Sequence, residues 1–479
     1  MSLDPPTYLK SLQNNIRARS IPWDGAARAG TITDSDLKQI RAIDKVRKEV
    51  RKQTVDESLE GIRSLLLGGQ NGRGVFESAA KRTDIIQYML VLTGDLTEDI
   101  PSVKPALLEH PDPFKPLLPF LNNISTPQDP TPLLTSSVLS ELISEALLNP
   151  SKCLSKAYEA LPKVYKYLST LAKSSDNGLQ DIAVQEYSTL LRSKKSRELF
   201  WNQRKDTIAP LIGILRTAAG GEKDTDSTLW SGNSSVRNTT EVALSGGVGL
   251  QLLYHVLLVI WQLSFEGSLV GETLEDDHEI IPLYTHLLRV SPKEKTTRLL
   301  LSTLYNLIST NRSFLLPAAT LAKLPAILTN LATRHLTDPD LLEDLQALQE
   351  MLDDYTKTKT TFDEYAAEVL SGHLRWSPPH RSSIFWRENA RKILDDQNSQ
   401  LPRKLAEIMG KSWDNDKQVL AIACNDVGSL VREVPEKRTQ LERLGLKTRV
   451  MELMVEGDET VRWESLKALG DWLRYSFES

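Results

Sequence analysis

Cysteine is nearly absent. Cys153 and Cys424 are the only two among 479 residues, which excludes a disulfide framework and any cysteine-based zinc site. The seven histidines form no HExxH pair, and no GxSxG elbow occurs, so the common metalloprotease and serine-hydrolase signatures are missing. Charge of one sign is lacking too: 58 basic residues against 63 acidic ones leave a net charge of -5, with no general pull toward nucleic acid or an anionic membrane. No apolar run reaches the ~18 to 20 residues of a membrane span. The stretch from Gly249 to Phe265 is interrupted by Gln251, His255 and Gln262. The opening MSLDPPTYLKSLQNN has neither the basic nor the apolar region of a signal peptide, which predicts a cytosolic protein without direct membrane insertion. Alternating β-branched runs bounded by hairpin signals are also absent, so no strand pattern competes with helix.

What the chain does have is helical spacing from Tyr8 to its C-terminus, in a length that exceeds one core. Prolines recur at the head of short leucine-rich segments: Pro116 in KPLLPFL, Pro162 in LPKVYKYL, Pro210 in APLIGIL, Pro282 in IPLYTHLL and Pro325 in LPAILTNL. Each is expected at the first helical position, marking a helix start, where the missing N–H costs nothing. The intervals are 46, 48, 72 and 43 residues. A period in the forties is that of HEAT and armadillo repeats, whose helices must stack because one unit cannot bury its own apolar stripe. The long interval contains Gly220 to Gly247, rich in Gly, Ser, Thr and Asn, read as an insertion in one inter-helix loop.

Leu341, Leu345, Leu348 and Leu352 mark one face of a helix introduced by Asp338-Pro339, and the polar stretch Asp353 to Thr361 follows. A second helical block, with Val450, Leu453, Val461 and Leu469 at helical spacing, lies beyond it. The expected fold is all-α: an armadillo/HEAT-like helical-repeat superhelix, or α-solenoid, in two domains, 1–352 and 362–479, joined by a linker over 353–361. At the joint, Glu364, Tyr365, Glu368 and Val369 have helical spacing and Gly372 is placed to end that helix. Trp376, Pro378, Pro379, His380, Phe385 and Trp386 then form a corner. Its two prolines fix φ, push Ser377 out of the helical region and are expected to keep the segment out of both flanking helices.

The chemistry-bearing motifs are incomplete. Gly410-Lys411-Ser412 imitates the end of a phosphate loop, but Leu405 stands where that loop needs a glycine. Glu272, Glu275, Asp276, Asp277, His278 and Glu279 read as a solvated acidic loop without calcium-loop spacing. His255 reads as a hydrogen-bonded core residue. No cofactor and no catalytic residue is expected. For contacts with other proteins, the turn Lys411, Ser412, Trp413, Asp414, Asn415 and Asp416 is the leading candidate, with Trp413 either facing a partner or folded back on its own helices. Arg17, Arg19 and Trp23 form a second candidate surface, unless Trp23 anchors the first helix.

Three blocks carry a family resemblance: Ile16 through Asp24, Gly249 through Phe265, and Phe362 through Trp386 with its run FDEYAAEV, WSPPH and FW. In that order they resemble the H-subunit family of the vacuolar-type proton-pumping ATPase. The resemblance implies a non-catalytic regulator that couples ATP hydrolysis to proton transport in the assembled pump and silences hydrolysis by the detached catalytic sector. It implies one copy per pump, on the cytosolic face of the vacuolar or another acidic-organelle membrane. Implied partners are the E and G subunits of the peripheral stalk, the cytosolic domain of the membrane-sector a subunit and, after detachment, catalytic-sector subunits. The alternative is a free-standing armadillo-type adaptor for trafficking or nuclear import. Against that, Trp201, Trp230 and Trp261 do not recur through the array as groove ladders of such adaptors do.

Overall fold

A computed structural model of the chain describes residues 7–69, 72–122, 126–149, 153–220, 249–291, 293–357, 360–395, 400–413 and 416–474. Among these the backbone is helical apart from short connections and one antiparallel ribbon, Gly68–Gly69 against Gly72–Arg73. The ribbon escaped the strand criteria because three of its four residues are glycine. Gly68 has φ +91°, and a Cβ on Gly74 would lie 2.4 Å from the Gly68 nitrogen, so close backbone approach alone makes the pair.

The repeat is visible in which residues bond across helices. Tyr88 donates to Asp44, Gln87 to Thr131, Thr97 to Glu141 and Ser140 to Glu186, at sequence separations of 44, 44, 44 and 46. The same offset returns later, with Asn311 to Gly267 at 44, Arg334 to Ser291 at 43, Gln440 to Leu394 at 46 and Lys467 to Asn425 at 42. Bonds whose partners flank residues 221–248 are longer in sequence: 74 for His255 with Asp181 and for Gln262 with Ser188. The excess is about the length of that segment. The insertion read between Gly220 and Gly247 thus falls between two successive repeats, and residues 221–248 themselves lie outside the described residues.

The described residues form two compact units. One holds 7–218 and 249–266, the other 219–220 and 267–474. In the first, helices Pro130–Leu148, Leu154–Ala172 and Asn177–Leu190 pack together around a ring cluster, in which Tyr165 and Tyr187 lie edge-on to Phe200 at 5.1 and 4.7 Å. Trp23 is buried, donates to Asp44 and stands edge-on to Tyr88, while Arg17 forks onto Asp95. Those N-terminal residues tie the first helices to the stack. His255 sits in the core and bonds Asp181 at 2.6 Å.

The proline expectation needs correction at three positions. Pro162 lies inside helix Leu154–Ala172 and Pro210 inside Arg204–Ala218, not at their starts. Pro116 precedes the short 3-10 turn Leu118–Leu121. Only Pro325, second in Leu324–Ala332, and Pro282, third in Ile280–Val290, mark a helix start, each in the first turn though not at its first position. The reason is upstream burial: Ala157, Ala160 and Leu161 already face the core before Pro162, and packing of an apolar face outweighs one lost backbone bond.

The second unit carries the joint. Asp338 caps helix Pro339–Lys357 through the N–H groups of Asp340 and Leu341, and Leu341, Leu345, Leu348 and Leu352 are buried along it. Of the linker read over 353–361, residues 353–357 are the last turns of that helix, 358–359 lie outside the described residues and Thr360 caps the next. The acidic stretch at 272–279 is not a loop. Helix Gly267–His278 runs through it because Val270, Gly271 and Leu274 form a buried stripe. No single helix among the described residues is long and apolar enough to cross a membrane; the bent pair Arg312–Leu321 and Leu324–Ala332 would qualify only by joint length and composition.

Candidate functional site

The corner is built by three local decisions. Thr360 and Asp363 form a reciprocal capping box that starts helix Thr361–Ser371, and Gly372 ends it in the left-handed region at φ +81°. Ser377 is extended, as a residue before proline must be. Pro378 and Pro379 stay out of both flanking helices and occupy the first turn of a short helix of their own, Pro378–Arg381, where missing donors are harmless. Helix Ser383–Asp395 follows after Ser382. Tyr365 lies 5.3 Å from both Phe385 and Trp386, and all three rings are buried. Trp376 stays at the edge of this cluster with Arg381 over its face at 5.2 Å.

Beneath the rings lies a buried polar set whose composition decides the electrostatics. His380 Nδ1 is 2.8 and 2.9 Å from the two carboxylate oxygens of Asp426, which belongs to helix Gln418–Glu433. Its Nε2 forms an ion-pair contact with Glu368 Oε1 at 3.2 Å. Glu368 accepts from the Arg375 N–H at 2.5 Å and from the Ser377 hydroxyl at 2.8 Å. Trp386 Nε1 and Asn425 Nδ2 both donate to the His380 carbonyl. Burial alone would lower the His380 pKa, but Asp426 and Glu368 outweigh it and push the imidazole up to about 10. Burial pushes the Asp426 carboxyl up, against the pull of the His380 charge. An imidazolium held between two carboxylates therefore ties helix Thr361–Ser371, the proline turn and helix Gln418–Glu433 together.

Asp426 was missed by sequence reasoning. A signal was there: Asn425-Asp426 interrupts the apolar run Val419 to Val431, every residue of which is buried. A carboxylate in such a run needs a cationic partner.

The turn at Lys411–Asp416 is brought to the same unit but not into this network. Trp413 is half-buried, takes φ +50°, donates its indole N–H to the Ile408 carbonyl at 2.7 Å and meets His373 edge-on at 5.7 Å. His373 in turn pairs with Glu279 at 2.9 Å. Lys411 and Ser412 are exposed, and Lys411 lies near Glu407 and over the Trp413 ring. Burial pushes the Asp416 carboxyl up, against His373 and Arg375. Asp414 and Asn415 lie outside the described residues. Among the described residues no group of three or more His, Cys, Asp or Glu side chains could hold a metal.

Comparison with known proteins gives one answer along the chain. Two family models, both for the H subunit of the V-ATPase, match residues 7–352 and 358–477. The V-type proton ATPase H subunit of Drosophila melanogaster is 27% identical over 98% of this chain and 91% of its own length. That of Dictyostelium discoideum is 23% identical over 99% and 98%. A probable V-type proton ATPase H subunit of Caenorhabditis elegans reaches 36% identity over 46% of this chain and 49% of its own. A designed armadillo repeat protein overlaps 66% of this chain and 98% of its own at 12% identity and a TM-score of 0.37; the fold assignment rests on the helix packing above. With both models aligned in order along its length, the chain belongs to the H-subunit family of the V-ATPase.

Proposed function

We propose that this chain is a non-catalytic regulatory subunit of the vacuolar proton-translocating ATPase. It couples ATP hydrolysis to proton transport in the assembled pump and inhibits hydrolysis by the detached catalytic sector. The observation that carries this reading is that the two family models together account for the chain from residue 7 to 477, on either side of the segment 353–357. A stack of helical repeats over 1–352 offers a long side surface to an extended helical partner, in keeping with the E and G subunits of the peripheral stalk. The repeats over 362–479 then reach either the cytosolic domain of the membrane-sector a subunit or, after detachment, the catalytic sector. One copy sits on the cytosolic face of an acidic-organelle membrane. The corner Trp376 to Trp386 sets the direction in which the C-terminal repeats leave, and the turn Lys411–Asp416 contacts another pump component through its exposed lysine and serine.

Tagged chain extracted from vacuolar membranes tests the assembly directly. The expected result is co-purification of stalk and catalytic-sector subunits in stoichiometric amounts. Recovery of the chain alone would overturn the reading.

A further inference from the structure

A groove of about 380 Å³ runs over helix Gln418–Glu433, beside the buried His380 set. Its floor is Asn425, Ser429 and Arg432, one stripe of the helix at i, i+4 and i+7. One wall is the proline turn, with Trp376 and Arg381; the other is helix Glu459–Arg474, with Glu464 and Lys467. Arg381, Arg432 and Lys467 line the groove beside Glu464, in a chain whose net charge is negative; Arg432 is also paired with Glu433 at 3.3 Å and lies 3.7 Å from Asp471, so Arg381 is the cation of the three that a ligand meets first. Glu464 is already engaged with Lys467 at 3.1 Å. Arg381 is exposed, stacked over Trp376, and makes no ion pair among the described residues. A guanidinium pre-set on an indole at a groove mouth is organised to receive a carboxylate.

The shape selects the class of ligand. From Asn425 to Arg432 the floor extends roughly 10 Å at the helical rise, the length of about three residues of extended chain. A lone small anion would meet one end of it only. Two exposed apolar side chains neighbour lining residues in sequence: Ile384, next to Ser383, is 64% exposed, and Trp463, one turn before Lys467, is 67% exposed. We infer that this groove docks an extended acidic segment of a partner polypeptide, its carboxylates meeting Arg381, Arg432 and Lys467 and its apolar side chains resting on Trp463 and Ile384. The inference goes beyond the regulatory reading and holds whichever polypeptide supplies the segment.

The test uses the full chain and a fluorescein-labelled octaglutamate peptide, with octaglutamine as the neutral control, read by fluorescence anisotropy. Saturable binding of octaglutamate, weakening as salt rises, and none of octaglutamine at the same concentrations is expected. Arg381→Gln, on an exposed side chain, should keep the helical circular dichroism and weaken binding about two- to fivefold, the effect of one screened charge contact. Lys205→Gln, an exposed site in the other unit, should leave it unchanged. Equal affinity of the Arg381→Gln and unaltered chains would overturn the assignment. So would complete displacement of the peptide by inorganic phosphate at matched ionic strength, which would make the groove a free-anion site.

Discussion

His380 is the residue on which the C-terminal repeats turn. Its imidazolium faces Asp426 on one nitrogen and Glu368 on the other, and all three are buried. Removing the cation leaves two carboxylates uncompensated, so His380→Gln should cost about 3–5 kcal/mol at pH 7, measured as a shift in urea midpoint. The pH dependence has a definite sign. The folded pKa, about 10, stands above the ordinary value of 6.5, so this contribution is fully present below pH 6.5 and lost as pH rises through 10. The stability gap between the unaltered chain and His380→Gln should therefore shrink steadily from pH 7 to pH 10. Taking the difference removes the buried carboxyls of Glu186 and Glu275, which burial pushes up to about 8 and which titrate in the same range. A gap that stays constant with pH would mean His380 contributes packing alone.

At the scale of elements, helix Gln418–Glu433 is the axis of the C-terminal block. It packs so close to helix Glu459–Arg474 that a Cβ on Gly428 would lie 2.9 Å from the Ala468 Cα. Gly428→Ala should destabilise by about 1–3 kcal/mol in chemical denaturation, since backbone must move. Gly470, on the exposed face of the partner helix with nothing near, should gain about 0.5–1 kcal/mol from alanine. Opposite signs for two glycine-to-alanine changes at one helix pair are the signature of that packing. The proline turn makes a separate prediction. Replacing Pro378 and Pro379 with alanine should disturb coupling or silencing more than binding of the N-terminal repeats to the stalk, measured by pump assays beside co-purification. Equal loss of both would give the corner a stability role only.

Much of this element order was legible in the chain. Helical spacing, the cap at Thr360-Asp363, the stop at Gly372 and the four leucines after Asp338 depend on local rules that act over a few residues. The repeat was legible as well, because stacking imposes its period on the sequence. Three of five proline-marked helix starts were not, since burial upstream of Pro162 and Pro210 carries the helix through them, and Pro116 lies outside any helix. Nor was the ion cluster. His380 and Asp426 are 46 residues apart, one repeat, and only the stacking of repeats makes them neighbours. Trp413 read as either contact or anchor, and its bond to the Ile408 carbonyl gives it an anchoring part whatever the exposed Lys411 and Ser412 touch.

For the whole molecule, membership of a pump-subunit family meets a mechanical idea. In the proposed role, repeats bind the stationary stalk, the corner directs the last repeats, and those repeats choose between membrane-sector and catalytic-sector surfaces. A regulator of this kind acts through differential contacts in two assemblies, so its effect in each is measured separately. The most direct measurement adds purified chain to pump material stripped of its native copy and follows two rates: ATP-driven acidification of vacuolar vesicles, and ATP hydrolysis by the released catalytic sector. The chain is predicted to restore acidification in the first and to suppress hydrolysis in the second. Unchanged acidification together with unsuppressed hydrolysis would contradict the proposed role.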